Sequence, residues 1–107
     1  QTKDIEMFEV ESRTEVVTIE NQDGDAFSLA DARFIVYDGD TTIFEKTNSG
    51  GGITFTDAVN GKLTVNIAAS DLNGNAGSHR YMLKATNQSG DVAIVLLGTF
   101  HIKPTPF

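Results

Sequence analysis

The feature that most constrains the fold is a short alternation of apolar and polar residues that recurs between turn residues. In the stretch NGKLTVNI (60–67), Leu63, Val65 and Ile67 alternate with polar residues after an Asn-Gly pair, which is typical of a tight turn. A period of two places the apolar side chains on one face of a β-strand. No window shows the sustained three-four spacing of an amphipathic helix. We therefore expect an all-β protein.

Clusters of Gly, Asn, Asp and Ser separate the apolar segments at regular intervals and mark turns, among them the Asp-Gly pair in 21–25. The loop 68–78 is expected to hold a short helical turn that starts at Ser70. The predicted strands are 4–10, 14–20, 30–38, 41–46, 53–59, 62–67, 79–86 and 92–102. About seven to eight short strands with tight turns favour an antiparallel β-sandwich of immunoglobulin-like type.

The chain length of 107 residues fits one domain over 1–107. Residues 1–12 are predicted to be an N-terminal strand or arm, and 103–107 a Pro-containing C-terminal tail. Such an arm can add a strand to the sheet edge of a neighbour, and the tail can place Phe107 in a neighbour's pocket. Frayed termini are the alternative for both segments.

Charge and composition exclude several classes of function. The net charge of -7, from fifteen acids against eight bases, lacks the positive footprint that nucleic-acid binding requires. No apolar run approaches the length of about eighteen residues that a spanning helix needs, and no basic amphipathic segment suits a membrane surface. The absence of cysteine excludes disulfides, thiolate zinc sites and cysteine nucleophiles. We expect neither nucleic acid nor membrane as a partner.

The pattern of catalytic residue types does not predict an enzyme. His79 and His101 stand at the start and end of two predicted strands, where surface positions are expected, and no nucleophile-elbow motif is present. The glycine-rich stretch 49–52 lacks the Lys-Ser/Thr ending of a phosphate-binding loop and precedes a strand.

A calcium-loop pattern begins in the 68–78 loop and then fails. Asp71, Asn73 and Asn75 occupy alternate positions, as in the opening of such a loop. Ala76 stands where the sharp turn needs Gly, and Met82 stands where a bidentate Glu is needed. We therefore predict no metal and no other cofactor, and a calcium-dependent adhesion-type domain is kept as an alternative.

Aromatic residues give limited support for sugar recognition. The chain has no Trp, and only Tyr37 and Tyr81 combine a ring with a hydroxyl. A groove lined by these two tyrosines would make a carbohydrate- or surface-binding module, the second alternative. Six phenylalanines are better explained as core residues: Phe8, Phe27, Phe34, Phe44, Phe55 and Phe100.

Some predicted strands are apolar on both faces, which a half-solvated sandwich strand should not be. In 92–98, strict alternation puts Val92, Ile94 and Leu96 on one side and the three intervening residues on the other. The strands that contain RFIVY (33–37) and YMLKA (81–85) likewise have apolar residues on both faces. An apolar outer surface marks a protein contact, unless the chain's own N-terminal strand or a long loop covers it. The candidate interface residues, with one from each chain end, are Ile35, Tyr37, Met82, Ala93, Val95, Leu97, Phe8 and Phe107.

The order of motifs resembles a family of small β-sandwiches in the structural proteins of tailed bacteriophages, in particular the N-terminal domain of upper baseplate proteins. The pieces that carry the resemblance are DG (23–24), SLADARFIVYD, IFEK, GGITFTDAVNGKLTVNI, HRYMLKATNQSGDV and GTFHI. They span roughly residues 21 to 102, in the order and spacing of that family. Ala30 and the His79-Arg80 pair depart from the usual pattern without disturbing the fold.

This resemblance implies a non-enzymatic part of a phage particle, located in the virion, with no catalytic residues to carry over. Its role would be that of a baseplate or tail adaptor or a capsid-decorating component. Its partners would be other virion proteins, and a homo-oligomer is a further possibility.

Overall fold

The computed structural model describes residues 2–20 and 27–104 as a single β-sandwich domain, which confirms the predicted fold class. The turn at 21–25 and Phe107 lie outside these residues. The strands in the described part are β1 (Ile5–Phe8), β2 (Arg13–Thr18), β3 (Leu29–Asp38), β4 (Thr41–Thr47), β5 (Ile53–Asp57), β6 (Lys62–Ile67), β7 (Gly77–Asn87) and β8 (Val92–Lys103).

The strands form two facing sheets. The larger sheet has the order β1-β8-β7-β3-β4, and the smaller has the order β2-β6-β5. Neighbouring strands run antiparallel, except that β1 runs parallel to β8. Strand β7 is therefore the centre of the larger sheet, and its outward side chains lie in the middle of that sheet's outer face.

Alternate residues of the two sheets meet in one hydrophobic core. An aromatic cluster lies at its centre, where the rings of Phe34 and Tyr81 have centroids 5.5 Å apart and Phe44 meets Phe100 edge to face at 5.9 Å. From the opposite sheet, the alternate β6 residues Leu63, Val65 and Ile67 are fully buried in this core. Because the core side of each strand is fixed in this way, the residues between the core positions form the outer faces.

The N-terminal strand adds to the chain's own sheet. Besides the pairing of β1 with β8, the Lys3 amide donates to the Leu97 carbonyl at 2.9 Å, and the Tyr81 hydroxyl donates to the Lys3 carbonyl at 2.5 Å. Gly98 makes this crossing possible, because a Cβ at this position would overlap the Lys3 carbonyl. The predicted N-terminal segment is thus a strand of this fold.

Strands β5 and β6 form a hairpin around the Asn-Gly pair (60–61), although the connection is longer than a two-residue turn. A 3-10 turn over Ala58–Asn60 precedes Gly61, whose φ of 72° lies in the left-handed region. A Cβ there would overlap the carbonyls of Ile19 and Phe27, so glycine also permits a close backbone approach.

The predicted helical turn in the 68–78 loop is the short helix α1 (Ala69–Leu72), which begins one residue before Ser70. Leu72 anchors it in the core. Within residues 2–20 and 27–104, no helix has the length and apolar content needed to cross a membrane.

Candidate protein interface

The outer face of the larger sheet contains an apolar row that crosses three strands. Ile35 of β3 is directly opposite Met82 of β7, which is directly opposite Leu97 of β8. Their sequence neighbours Phe34 and Leu83 face the core, so these three side chains lie on the outer side. The structure therefore brings together three residues that the sequence nominated from separate strands.

A β-bulge in β8 corrects the predicted alternation of that strand. Leu83 pairs with Leu96 but Lys84 pairs with Ile94, which makes Val95 an extra residue in β8. Because of this extra residue, the side chains of residues 92–94 lie on the faces opposite to those that strict alternation predicts. The prediction that Ala93, Val95 and Leu97 share the outer face is therefore wrong.

The two misplaced residues face the molecule's own core. Ala93 and Val95 are partly buried and pack against the core cluster. Val92 and Ile94, assigned by strict alternation to the other side, take their places beside Leu97. We call the exposed set Val92, Ile94 and Leu97 the β8 patch.

The residues of the β8 patch are well exposed, with 58% of Val92, 44% of Ile94 and 42% of Leu97 accessible to solvent. Met82 is half-buried beside them. Ile35 is only 9% exposed, because its neighbours on the same sheet, Glu45 and Met82 among them, cover it. The chain thus covers one end of the apolar row itself and leaves the β8 end open.

Two basic side chains of β7 flank Met82 on the same face. Arg80 and Lys84 lie two residues to either side of it. Arg80 is exposed and Lys84 half-buried, and neither has an ion-pair partner among the described residues. The same face also carries Arg33, whose guanidinium is bound by Glu45 at 2.5 Å. The open end of the apolar row is therefore bordered by unneutralised positive charge.

The remaining sequence candidates lie at the margins of this face. Tyr37 is half-buried and pairs with Arg80 across the β3–β7 ladder. Phe8 is half-buried at the β1 edge, where the Lys103 ammonium lies 5.3 Å from its ring centroid. Lys103 also forms a salt bridge with Glu6, whose pKa is held below its usual value by the hydrogen bond and charge of that lysine.

Tyr81 does not form a sugar-binding groove with Tyr37, because the two rings lie on opposite faces of the sheet. Tyr81 is 1% exposed and belongs to the core aromatic cluster. Burial, together with the nearby negative charges of Glu15 and Asp4, raises its pKa to about 12. The tyrosine groove predicted for a carbohydrate-binding module is therefore absent.

The expectation that both histidines are surface residues is wrong for His79. Its ring is buried, with Nδ1 2.6 Å from an Asp38 carboxylate oxygen and Nε2 2.7 Å from the Asn75 carbonyl. Each ring nitrogen therefore contacts an oxygen from a different part of the chain. His79 thereby joins the β3–β4 turn to the loop after α1.

His101 is exposed, as expected, and contacts Ser78. The Ser78 hydroxyl lies 3.1 Å from Nδ1 and 3.2 Å from Nε2, so neither ring nitrogen alone is aligned with it. A hydrolytic dyad needs one nitrogen directed at the hydroxyl inside a cleft, and this pair stands on an open strand surface. The arrangement does not build a nucleophilic site.

The calcium-loop residues have other roles in the structure. One Asp71 carboxylate oxygen accepts a hydrogen bond from the Ala68 amide and forms an ion pair with Lys46, each at 2.8 Å. The Asn75 side chain donates to the Asp71 carbonyl at 3.0 Å. In the described part of the chain, no group of three or more acidic or histidine side chains is arranged to hold a metal ion.

Comparisons with known proteins give no family assignment. No family model matches this chain, and no curated protein matches it. Among solved structures it is similar to part of a 2,6-sialyltransferase from the Vibrionaceae bacterium Photobacterium sp. JT-ISH-224, solved with CMP and lactose. The TM-score is 0.42 with 12% identity, over 96% of this chain and 18% of that chain. The chain thus spans less than a fifth of that enzyme, and the likeness carries no functional argument.

Proposed function

We propose that this protein is a non-enzymatic structural component of a tailed phage particle and acts through protein–protein contacts of the outer face of its larger sheet. The β8 patch is the observation that carries the proposal, because exposed apolar side chains that adjoin one another on a folded surface mark an interaction site. The motif order described above supports the phage setting. Within that setting, a tail or baseplate adaptor and a capsid-decorating component are equally suited.

The size of the patch favours assembly with several neighbours over a tight pair. Full burial of one such side chain contributes about 1.5–3 kcal/mol, so completing the burial of three half-exposed ones contributes about 3 kcal/mol in total. Association costs at least about 4 kcal/mol of translational and rotational freedom. The patch alone is therefore too weak for a stable binary complex. In a phage particle, other contacts already hold the neighbouring proteins in place, so a contact of this strength is enough to retain the chain.

The two alternatives receive less support from the same structure. A sugar site would need exposed aromatic rings, whereas Tyr81 is in the core. A calcium-dependent domain would need free carboxylates in the 68–78 loop, whereas Asp71 is held by Lys46 and the Ala68 amide. The structural role is accordingly the one we propose.

The test is incorporation into particles. Tailed particles made from the genome that encodes this chain would be purified, and the copy number of the chain would be measured by quantitative mass spectrometry. We expect a fixed copy number that the double variant Ile94→Asp/Leu97→Asp lowers at least about tenfold, since carboxylates that must lose their hydration would then replace the apolar side chains of the contact. The matched control is Val16→Asp, which changes a 73% exposed valine on the outer face of the smaller sheet. Absence of the chain from the particles would refute the proposal.

A further inference from the structure

The geometry points to a specific partner chemistry for this face: we propose that the β8 patch and its flanking bases bind a protein segment in which acidic side chains alternate with apolar ones. This inference rests on the proposed function and names the kind of surface the neighbour presents. The charges of the outer face are its basis.

Basic side chains are scarce in this protein and most are neutralised internally. Within residues 2–20 and 27–104, five of the eight bases form ion pairs with the chain's own acids: Lys3, Arg13, Arg33, Lys46 and Lys103. Of the other three, Arg80 and Lys84 lie on either side of Met82, next to the β8 patch. Neither base has an ion-pair partner in the part of the chain that the structure describes, although the sequence has fifteen acids. Beside an apolar surface, both are available to an external carboxylate.

A surface cavity adjoins the β8 patch on the side of Lys84. A cavity of about 230 Å³ is lined by Lys84 and Arg33 of the outer face. Thr47, Ser49 and Thr86 also line it, and each carries a hydroxyl that can donate a hydrogen bond. Asp31 stands on the same wall and disfavours a multiply charged anion. A single carboxylate side chain, which can be bound by Lys84 and the hydroxyls, fits this lining best.

A second copy of the chain is a poor occupant of the same face. A two-fold contact centred on Met82 would place Arg80 and Lys84 of one copy close to the same bases of the other, and like-charge juxtaposition at an interface is unfavourable. The net charge of -7 on each copy adds a long-range repulsion. A heterologous partner with carboxylates beside leucine- or isoleucine-type side chains satisfies both the apolar patch and the two bases.

The test uses random peptides as defined probes. A library of displayed peptides would be selected on the folded chain, and the affinity of a selected, synthesised peptide would be measured by fluorescence anisotropy. We expect enrichment of peptides that combine Asp or Glu with Leu, Ile or Phe. The double variant Arg80→Glu/Lys84→Glu should weaken binding about tenfold or more, because it replaces two attractions with two repulsions. Raising the salt concentration should weaken wild-type binding as well.

The control is Lys62→Glu, which reverses one charge where the double variant reverses two. Lys62 is an exposed strand lysine that also has no ion-pair partner among the described residues. This variant should leave affinity within about twofold of wild type, since Lys62 belongs to the smaller sheet. If circular dichroism shows that the double reversal does not fold, Arg80→Gln/Lys84→Gln replaces it, with an expected loss of about threefold.

Three outcomes would each overturn the inference. The selection could yield neutral or basic peptides, it could yield no peptide at all, or the charge variants could bind with unchanged affinity. So would a dimer in sedimentation that Leu97→Asp abolishes, since the face would then bind a second copy. These outcomes are separable from failure of the proposed function. If Ile94→Asp/Leu97→Asp is lost from particles while Arg80→Glu/Lys84→Glu is incorporated normally, the interface stands and only the partner chemistry is wrong.

Discussion

Replacing Gly98 with alanine should detach the N-terminal segment from the larger sheet. A Cβ at this position lies 3.0 Å from the Lys3 carbonyl carbon, closer still to its oxygen, and 3.1 Å from a carboxylate oxygen of Asp4. The obstructing atoms are mainly backbone, so no side-chain rotation relieves the overlap. Either the sheet absorbs the strain or residues 2–4 move away from β8.

The expected loss of stability is set by whichever of these two responses has the smaller free-energy cost. Overpacking of this kind costs about 1–3 kcal/mol when the structure stays in place. Moving the segment loses three hydrogen bonds, at about 1 kcal/mol each. They join the Tyr81 hydroxyl to the Lys3 carbonyl, the Lys3 amide to the Leu97 carbonyl, and the Thr99 amide to Asp4. We therefore expect the free energy of unfolding to fall by about 2–3 kcal/mol, a sizeable share of the 5–15 kcal/mol that is typical of a small domain.

Urea unfolding of Gly98→Ala, Tyr81→Phe and the double variant would measure this effect. If alanine displaces Lys3, the Tyr81 bond is already lost, so Tyr81→Phe should cost much less in the double variant than alone. Gly74→Ala is the control for backbone strain, because Gly74 also has a positive φ (80°) but has open space around it. A wild-type unfolding midpoint for Gly98→Ala, or fully additive costs in the double variant, would refute the reasoning.

Three further predictions concern polar groups placed by the fold. The unfolding midpoint in urea should decline as pH rises from 10.0 towards 12. The pKa of Tyr81 is raised in the folded chain, so over this range the folded chain keeps a proton that the unfolded chain releases. Tyr81→Phe should flatten the decline. His79→Ala should lower the free energy of unfolding by about 2–3 kcal/mol, because it leaves the Asn75 carbonyl and the Asp38 carboxylate without their imidazole partner in a partly buried site. An unfolding midpoint equal to that of the wild type would contradict this. Asp71→Ala should cost about 1 kcal/mol through the lost bond to the Ala68 amide, and added calcium or chelator should leave the wild-type melting temperature unchanged.

The strands were predictable because most of them follow a local rule. The alternation in 62–67 gives β6 with both ends correct, and the other strands differ from their predicted bounds by a few residues at the ends. Turn residues and β-propensity act within a few positions of the chain, so a single sequence carries this information.

The predicted interface failed where a distant partner decides the local geometry. The bulge at Val95 depends on how β8 registers with β7, and no residue near 95 marks it, so strict alternation put Ala93 and Val95 outside and Ile94 inside. The bases Arg80 and Lys84 were missed because their closeness to the β8 patch is a consequence of that pairing. His79 is buried for a similar reason, since Asp38 reaches it from 41 positions away.

The accessibility of position 97 in assembled particles tests the central claim most directly. The chain has no cysteine, so a single Leu97→Cys thiol can be followed by maleimide labelling, with Val16→Cys as the matched probe on the other sheet. Both thiols should react rapidly in the isolated chain, because both native side chains are exposed. In particles, the thiol at 97 should be protected while the thiol at 16 stays reactive. Equal, rapid labelling of both thiols in particles would contradict the account.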